Sequence, residues 1–152
     1  LRTTRMDTPI RYKNDETFKI GGCKVLRHTQ KDKVCIIAAG ITVVEALKAY
    51  DLLALNDRPI HVSVIDLYSI KPLDRDTIIK VAKTSGKIIT VEDHYPEGGL
   101  GAAVTQAVCN EGFTIQRLAV KELPRSGKPD ELLARAGIDA VSIVAAVNLL
   151  LD

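Results

Sequence analysis

The sequence predicts an α/β domain whose sheet is mostly parallel and covered by helices on both faces. Three observations carry that expectation. Short β-rich runs alternate with segments of helical composition along the chain, as in strands joined by crossover helices. One run, Val34–Ala38, is continuously apolar, as a strand buried on both faces must be. Residues 91–101 read Val-Glu-Asp-His-Tyr-Pro-Glu-Gly-Gly-Leu-Gly, a strand end passing through charged residues and glycines into a helical segment at 102–108.

Taken in order, residues 1–15 are polar, with Arg2 and Arg5 ahead of Pro9, and read as a linker leaving a missing preceding domain; residues 16–152 form the domain itself. Residues 18–27 form a candidate strand whose Gly21-Gly22 pair marks a bulge or an edge position. Val34–Ala38 follows and ends at Gly40. Thr42-Val43-Val44-Glu45 has the form of a capping box, and Val43, Leu47, Tyr50 and Leu53 keep helical spacing as far as Asn56. The next strand, 60–67, is closed off by Lys71-Pro72. Asp74 then caps a helix, with Leu73 and Ile78 as its hydrophobic staple, and Ser85-Gly86 ends it.

Lys87–Val91 is the strand that enters the glycine loop. A helix over about 99–110 places Leu100, Val104, Ala107 and Val108 on one side, and Glu111-Gly112 turns the chain into a last strand at 114–120. Pro124-Arg125-Ser126-Gly127-Lys128-Pro129 is a rigid basic loop. A short helix at 130–136 stops at Gly137, and Asp139 caps the final helix, which runs to Leu151. That helix has almost no polar face, so part of it is expected to be buried against another subunit or domain.

The 152 residues suffice for one domain with a real core, and 46% hydrophobic with 26% charged residues describes a globular protein. Charges of both signs are interspersed to a net +2, without a basic stripe and without Trp, which argues against nucleic-acid binding. No apolar run approaches the roughly 20 residues of a membrane span. Cys23, Cys35 and Cys109 are odd in number, far apart and without a C-x-x-C, and read as reduced, buried thiols of a cytoplasmic protein.

Chemistry is sparse. Glu92, Asp93, His94 and Glu97 form the one dense ionisable cluster at a strand's carboxyl end. A histidine beside carboxylates suits acid–base work; equally, Glu92 and Asp93 suit capping or pairing with neighbouring loops. The glycines Gly98, Gly99 and Gly101 leave a helix start nearly bare, so its N–H groups and macrodipole are open to an anion, and with His94 they make a candidate regulatory anion loop. Gly99-Leu100-Gly101-Ala102-Ala103-Val104 is an incomplete dinucleotide fingerprint. No metal-ligand spacing, nucleophile elbow or P-loop is present. Arg125 and Lys128 are cations able to meet an anion, or simply a solvated loop.

Several motifs occur together and in one order: Ile70-Lys71-Pro72-Leu73-Asp74, Val91-Glu92-Asp93-His94-Tyr95, Glu97-Gly98-Gly99-Leu100-Gly101 and Pro124-Arg125-Ser126-Gly127-Lys128-Pro129. Together they resemble the C-terminal domain of transketolase, over essentially the whole chain. The resemblance implies a three-layer α/β/α fold with a five-stranded mixed sheet, the first strand antiparallel to the rest. It implies a parent enzyme that moves two-carbon ketol units between sugar phosphates, using thiamine diphosphate and a divalent cation (Mg or Ca). It further implies that the N-terminal and middle domains of that enzyme, and a homodimer partner, pack on this one. The segments that hold cofactor and metal are not in this sequence, so the chain alone is expected to bind neither and to be inactive. Arg2 matches the family arginine that binds the substrate phosphate, a role suited to a guanidinium's paired donors; no catalytic role carries over to His94.

Two rival readings remain. A free-standing module sensing an anionic metabolite at Gly98–Gly101 predicts binding that is lost on Gly99→Val. A docking module for an acyltransferase core predicts capture of a peripheral subunit-binding domain.

Overall fold

In the computed structural model, which describes residues 7–123 and 125–152, ten elements follow one another. They are β1 (Lys24–Arg27), β2 (Val34–Ala38), α1 (Ile41–Ala54), β3 (Val62–Asp66), α2 (Arg75–Ala82), β4 (Lys87–Val91), α3 (Leu100–Val108), β5 (Thr114–Leu118), α4 (Pro129–Ala136) and α5 (Ala140–Leu151). The strands form one sheet in the order β1-β3-β2-β4-β5. β1 runs antiparallel to β3, and the remaining neighbours are parallel.

The central strand β2 shows how the sequence builds the layers. Val34, Ile36 and Ala38 face one side and join the core formed with α1 and α5; Cys35 and Ile37 face the other and join the core formed with α2 and α3. All five are fully buried, because both faces of a crossover sheet are covered. Cys35 lies wholly inside the second core, and burial pushes its thiol up to about 12. Cys23 is half-buried beside Asp74, and desolvation followed by the neighbouring carboxylate pushes it also to about 12. Cys109 departs from the sequence expectation, because it is exposed just past the end of α3.

The first strand is shorter than the 18–27 read from composition. Residues 18–23 fold back through the Gly21 turn (φ 83°), whose N–H donates to Ser69 Oγ at 2.9 Å, and pack on the segment after β3. Tyr12, Phe18 and Tyr68 meet edge to face at 5.0 and 4.9 Å between centroids, and the Lys24 ammonium lies 4.6 Å from the Phe18 ring centroid. Tyr12 donates its hydroxyl to Asp66 at 2.6 Å, where burial holds the carboxyl above the usual range. β1 is an edge strand, and its pairing with β3 is bulged between Val25 and Arg27.

The helix ends divide into local and non-local cases. Asp74 accepts from Thr77 N at 3.0 Å, Asp139 accepts from Ser142 N at 3.0 Å, and Gly137 closes α4 at φ 69°, all as their sequence positions require. The capping box expected at Thr42–Glu45 does not form. α1 begins two residues earlier, with Gly40 (φ 64°) in place of Thr42 as its N-cap and no side-chain cap. The Thr42 hydroxyl instead lies 2.8 Å from Val91 O and 3.0 Å from Ala39 O, tying α1 to the ends of β2 and β4. Glu45 turns away to α5, where its buried carboxylate accepts from Ala140 N at 3.0 Å and from Lys48 at 2.8 Å.

Residues Pro129–Leu151 reach a mean hydropathy of 1.6 over a span long enough to cross a membrane. The left-handed Gly137 breaks that span, and α5 by itself has 12 residues, about 18 Å against the ~30 Å of a bilayer core. Its inner face, Ala140, Ile143, Ala146 and Val147, is buried on α1 and the sheet. Its outer face leaves Val141 and Leu149 about 70% exposed (68% and 70%).

Candidate functional site

From β2 the chain crosses by α1 to β3 on one side, whereas β4 lies on the other, so the direction of winding reverses between β2 and β4. That crevice at the strands' carboxyl ends is where open α/β sheets place ligands. Ala38 and Val91, the last residues of the two strands, stand in register there.

The loop leaving β4 closes back on itself. Glu92, only 3% exposed, accepts from Leu100 N at 2.6 Å and from Gly101 N at 2.9 Å. Its carboxylate therefore sits on the first N–H groups of α3, where the helix dipole also favours a negative charge. The glycines make room for it. A Cβ on Gly99 would overlap the Glu92 carboxyl, and one on Gly101 would lie 2.9 Å from Glu92 Oε1, 2.8 Å from Thr90 Oγ1 and 2.7 Å from Arg117 Nε. Thr90 and Arg117 are opposite each other on β4 and β5. The Arg117 guanidinium donates to Pro96 O and so pins the loop; Thr90 Oγ1 and Arg117 Nε are buried without a hydrogen-bond partner among the described residues.

The anion that the bare helix start invites is thus the chain's own. The donors at Leu100 and Gly101, which the anion-loop reading offered to a metabolite, are occupied by Glu92. Gly98, at φ 69°, turns the loop with open space where a Cβ would be. His94 is exposed, with Nδ1 2.8 Å from Tyr95 O, and its carbonyl accepts from Val120 N at 2.9 Å. His94, Gly98 and Gly99 lie in one loop and Gly101 in the first turn of α3; Arg2 lies outside the described residues. His94→Ala is expected to change the unfolding free energy by no more than about 0.5 kcal/mol. In the parent enzyme that the motif resemblance implies, it should also leave turnover within about tenfold. A thousandfold loss with intact assembly would give the ring a chemical role.

Among the described residues no group of three His, Cys, Asp or Glu side chains converges on a metal position. With the α3 donors also taken, the residues here do not fit thiamine diphosphate and its cation.

Beyond Ile41 and Asp93 the same edge opens into a cavity of about 340 Å³ against α4. Arg125 reaches it, as one half of the basic pair read from the sequence, whereas Lys128 instead precedes α4 as its exposed N-cap. Sequence reading missed the cavity and Arg117, because no local pattern relates Ile41 to α4 or Arg117 to Pro96.

Comparison with known proteins decides the family. The family model described as "Transketolase, C-terminal domain" matches residues 23–143, which include all five strands, the Glu92 loop and the start of α5. The chain belongs to the transketolase C-terminal domain family. It is 53% identical to transketolase-like protein 1 of Macaca fascicularis, over 99% of this chain and 25% of that protein. It is 48% identical to transketolase of Homo sapiens, over 97% of this chain and 24% of that one. The chain therefore spans about a quarter of the length of these relatives. Among solved structures, "Split gene transketolase, inactive beta4 tetramer" superposes at a TM-score of 0.85 with 33% identity, over 95% of this chain and 46% of that one. Transketolase from Leishmania mexicana, at 18% identity and a TM-score of 0.64, shares the fold.

Proposed function

We propose that this chain is the C-terminal domain of a cytoplasmic transketolase and serves it as a packing and dimer-supporting domain, without turnover of its own. In this reading the parent enzyme transfers two-carbon ketol units between sugar phosphates. Thiamine diphosphate and a divalent cation, Mg or Ca, are held by the N-terminal and middle domains. Arg2 binds substrate phosphate at the junction with the middle domain, on the strength of the motif resemblance alone.

One observation carries the packing role. Val141, Ala145 and Leu149 recur at four-residue spacing on the exposed side of α5, an apolar stripe on a helix whose opposite side is already buried. In a chain about a quarter as long as its relatives, such a stripe fits a surface covered by the rest of the enzyme.

Leu149→Asp tests this. Burying a leucine contributes about 1.5–3 kcal/mol, and a buried unpaired carboxylate adds to the loss. Leu149→Asp in the full-length enzyme is therefore expected to raise the dimer dissociation constant at least about tenfold. The denaturation midpoint of the 152-residue chain should not move. Leu150 is a poorer probe, because it packs on the domain's own core and its substitution would mix folding with association. Undiminished assembly of Leu149→Asp by analytical ultracentrifugation would remove the packing role from α5.

A further inference from the structure

Between Ala140 and Leu151, α5 contains no charged residue to match its own macrodipole. Its last turn has no basic side chain, and the residue that caps it, Asp152, is a carboxylate where a helix C-terminus favours a cation. The cation comes from elsewhere in the chain. Lys87, the first residue of β4 and 63 positions from its partner, donates its ammonium to Leu150 O at 2.6 Å. The backbone of Lys87 is itself fixed. Ser85 Oγ lies 3.0 Å from its carbonyl and 3.3 Å from its N–H, and its register partner is Thr114 on β5. β4 thus brings a charge to one helix at each of its ends. Lys87 sits on a carbonyl of the last turn of α5, and Glu92, just past Val91, sits on the first N–H groups of α3. Both charges have the sign that the dipole favours.

The Lys87 contact reaches the apolar stripe. Leu150 and Leu151 pack inward on the core, whereas Leu149, in the same turn, is the far member of the stripe formed with Val141 and Ala145. The near member, Val141, lies in the turn that Asp139 and Glu45 hold. We propose that Lys87 is a positioning residue for this face: its ammonium latches the last turn of α5, so that Leu149 stands in helical register with Val141 before anything docks. The inference rests on the packing role proposed above and adds the residue that controls it. A face ordered in advance loses less conformational freedom on association. One ordered only part of the time binds in proportion to the fraction that is ordered.

Lys87→Met, which keeps an unbranched stem but removes the charge and the donor, tests the latch by amide hydrogen exchange of the 152-residue chain. Protection of the amides of residues 148–151 should fall at least about tenfold, the factor that a hydrogen bond from a charged group is worth, while that of residues 143–145 and of α2 stays within about threefold. In the full-length enzyme the same substitution should raise the dimer dissociation constant at least about threefold, read by analytical ultracentrifugation. Unchanged protection at residues 148–151 overturns the latch, and so does an equal fall at both ends of α5 and in α2, which would make the contact a support of the whole fold. Undiminished association despite frayed amides overturns the positioning role. Leu149→Asp separates the two failures. If it weakens association, only Lys87 loses its part; if it does not, the packing reading falls and the positioning role falls with it.

Discussion

Gly99→Val is expected to lower the stability of the chain by about 4 kcal/mol, the largest effect of any single substitution in the loop after β4. The added Cβ would occupy the position of the Glu92 carboxyl, so the side chain must leave the start of α3. Two hydrogen bonds from backbone N–H to a charged acceptor go with it, each worth about 1.5–3 kcal/mol, and the carboxylate has no other hydrogen-bond partner among the described residues. Gly98→Ala is the internal comparison. Its backbone is left-handed but nothing lies where the Cβ would go, so the expected cost is only the conformational one, about 1–2 kcal/mol. Urea denaturation of both variants decides the matter: equal losses would mean that Glu92 does not hold α3. The same experiment separates this reading from an anion-sensing turn. If Gly99→Val leaves stability intact while abolishing binding of inorganic phosphate, the turn serves a ligand and not the fold.

Glu45→Ala is the second large effect, about 3 kcal/mol, and it falls on a different part of the molecule. The carboxylate leaves α1 to accept the first N–H of α5, and its removal orphans that buried donor at about 1–3 kcal/mol and releases Lys48. Glu45→Gln keeps an acceptor in place and should cost about 1 kcal/mol. The distinguishing readout is amide hydrogen exchange. Protection of α5 should fall well before that of α2, because Asp139 then holds the helix start alone. Under the packing role proposed for the exposed Val141 and Leu149 of α5, Glu45→Ala should weaken association of the full-length enzyme as well. Uniform loss of protection across the sheet would instead show that the contact supports the whole core and not α5 in particular.

The sequence by itself determined the elements whose signals are local. β2 and β4 follow from short β-rich apolar runs, the buried helix faces from apolar residues at helical spacing, and the caps at Asp74, Asp139 and Gly137 involve atoms within one turn of the residue that makes them. The ordered motifs also reached the family, and with it the antiparallel first strand. The tertiary structure decided everything that depended on competition for a partner. Thr42 and Glu45 have the spacing of a capping box, yet Val91 O and Ala140 N, the latter 95 residues along the chain, are better partners once α1 lies against the sheet and α5. Residues 18–23 have β composition but fold back so that Phe18 packs between Tyr12 and Tyr68. The glycines before α3 announce a site for an anion without naming it; only the fold turns Glu92 inward to fill it, and only the packing of α4 across the ends of β4 and β5 leaves a cavity beside it. A periodic pattern specifies which face of an element is buried, whereas a polar side chain with several acceptors or donors in reach is settled by whichever the folded chain brings to hydrogen-bond distance.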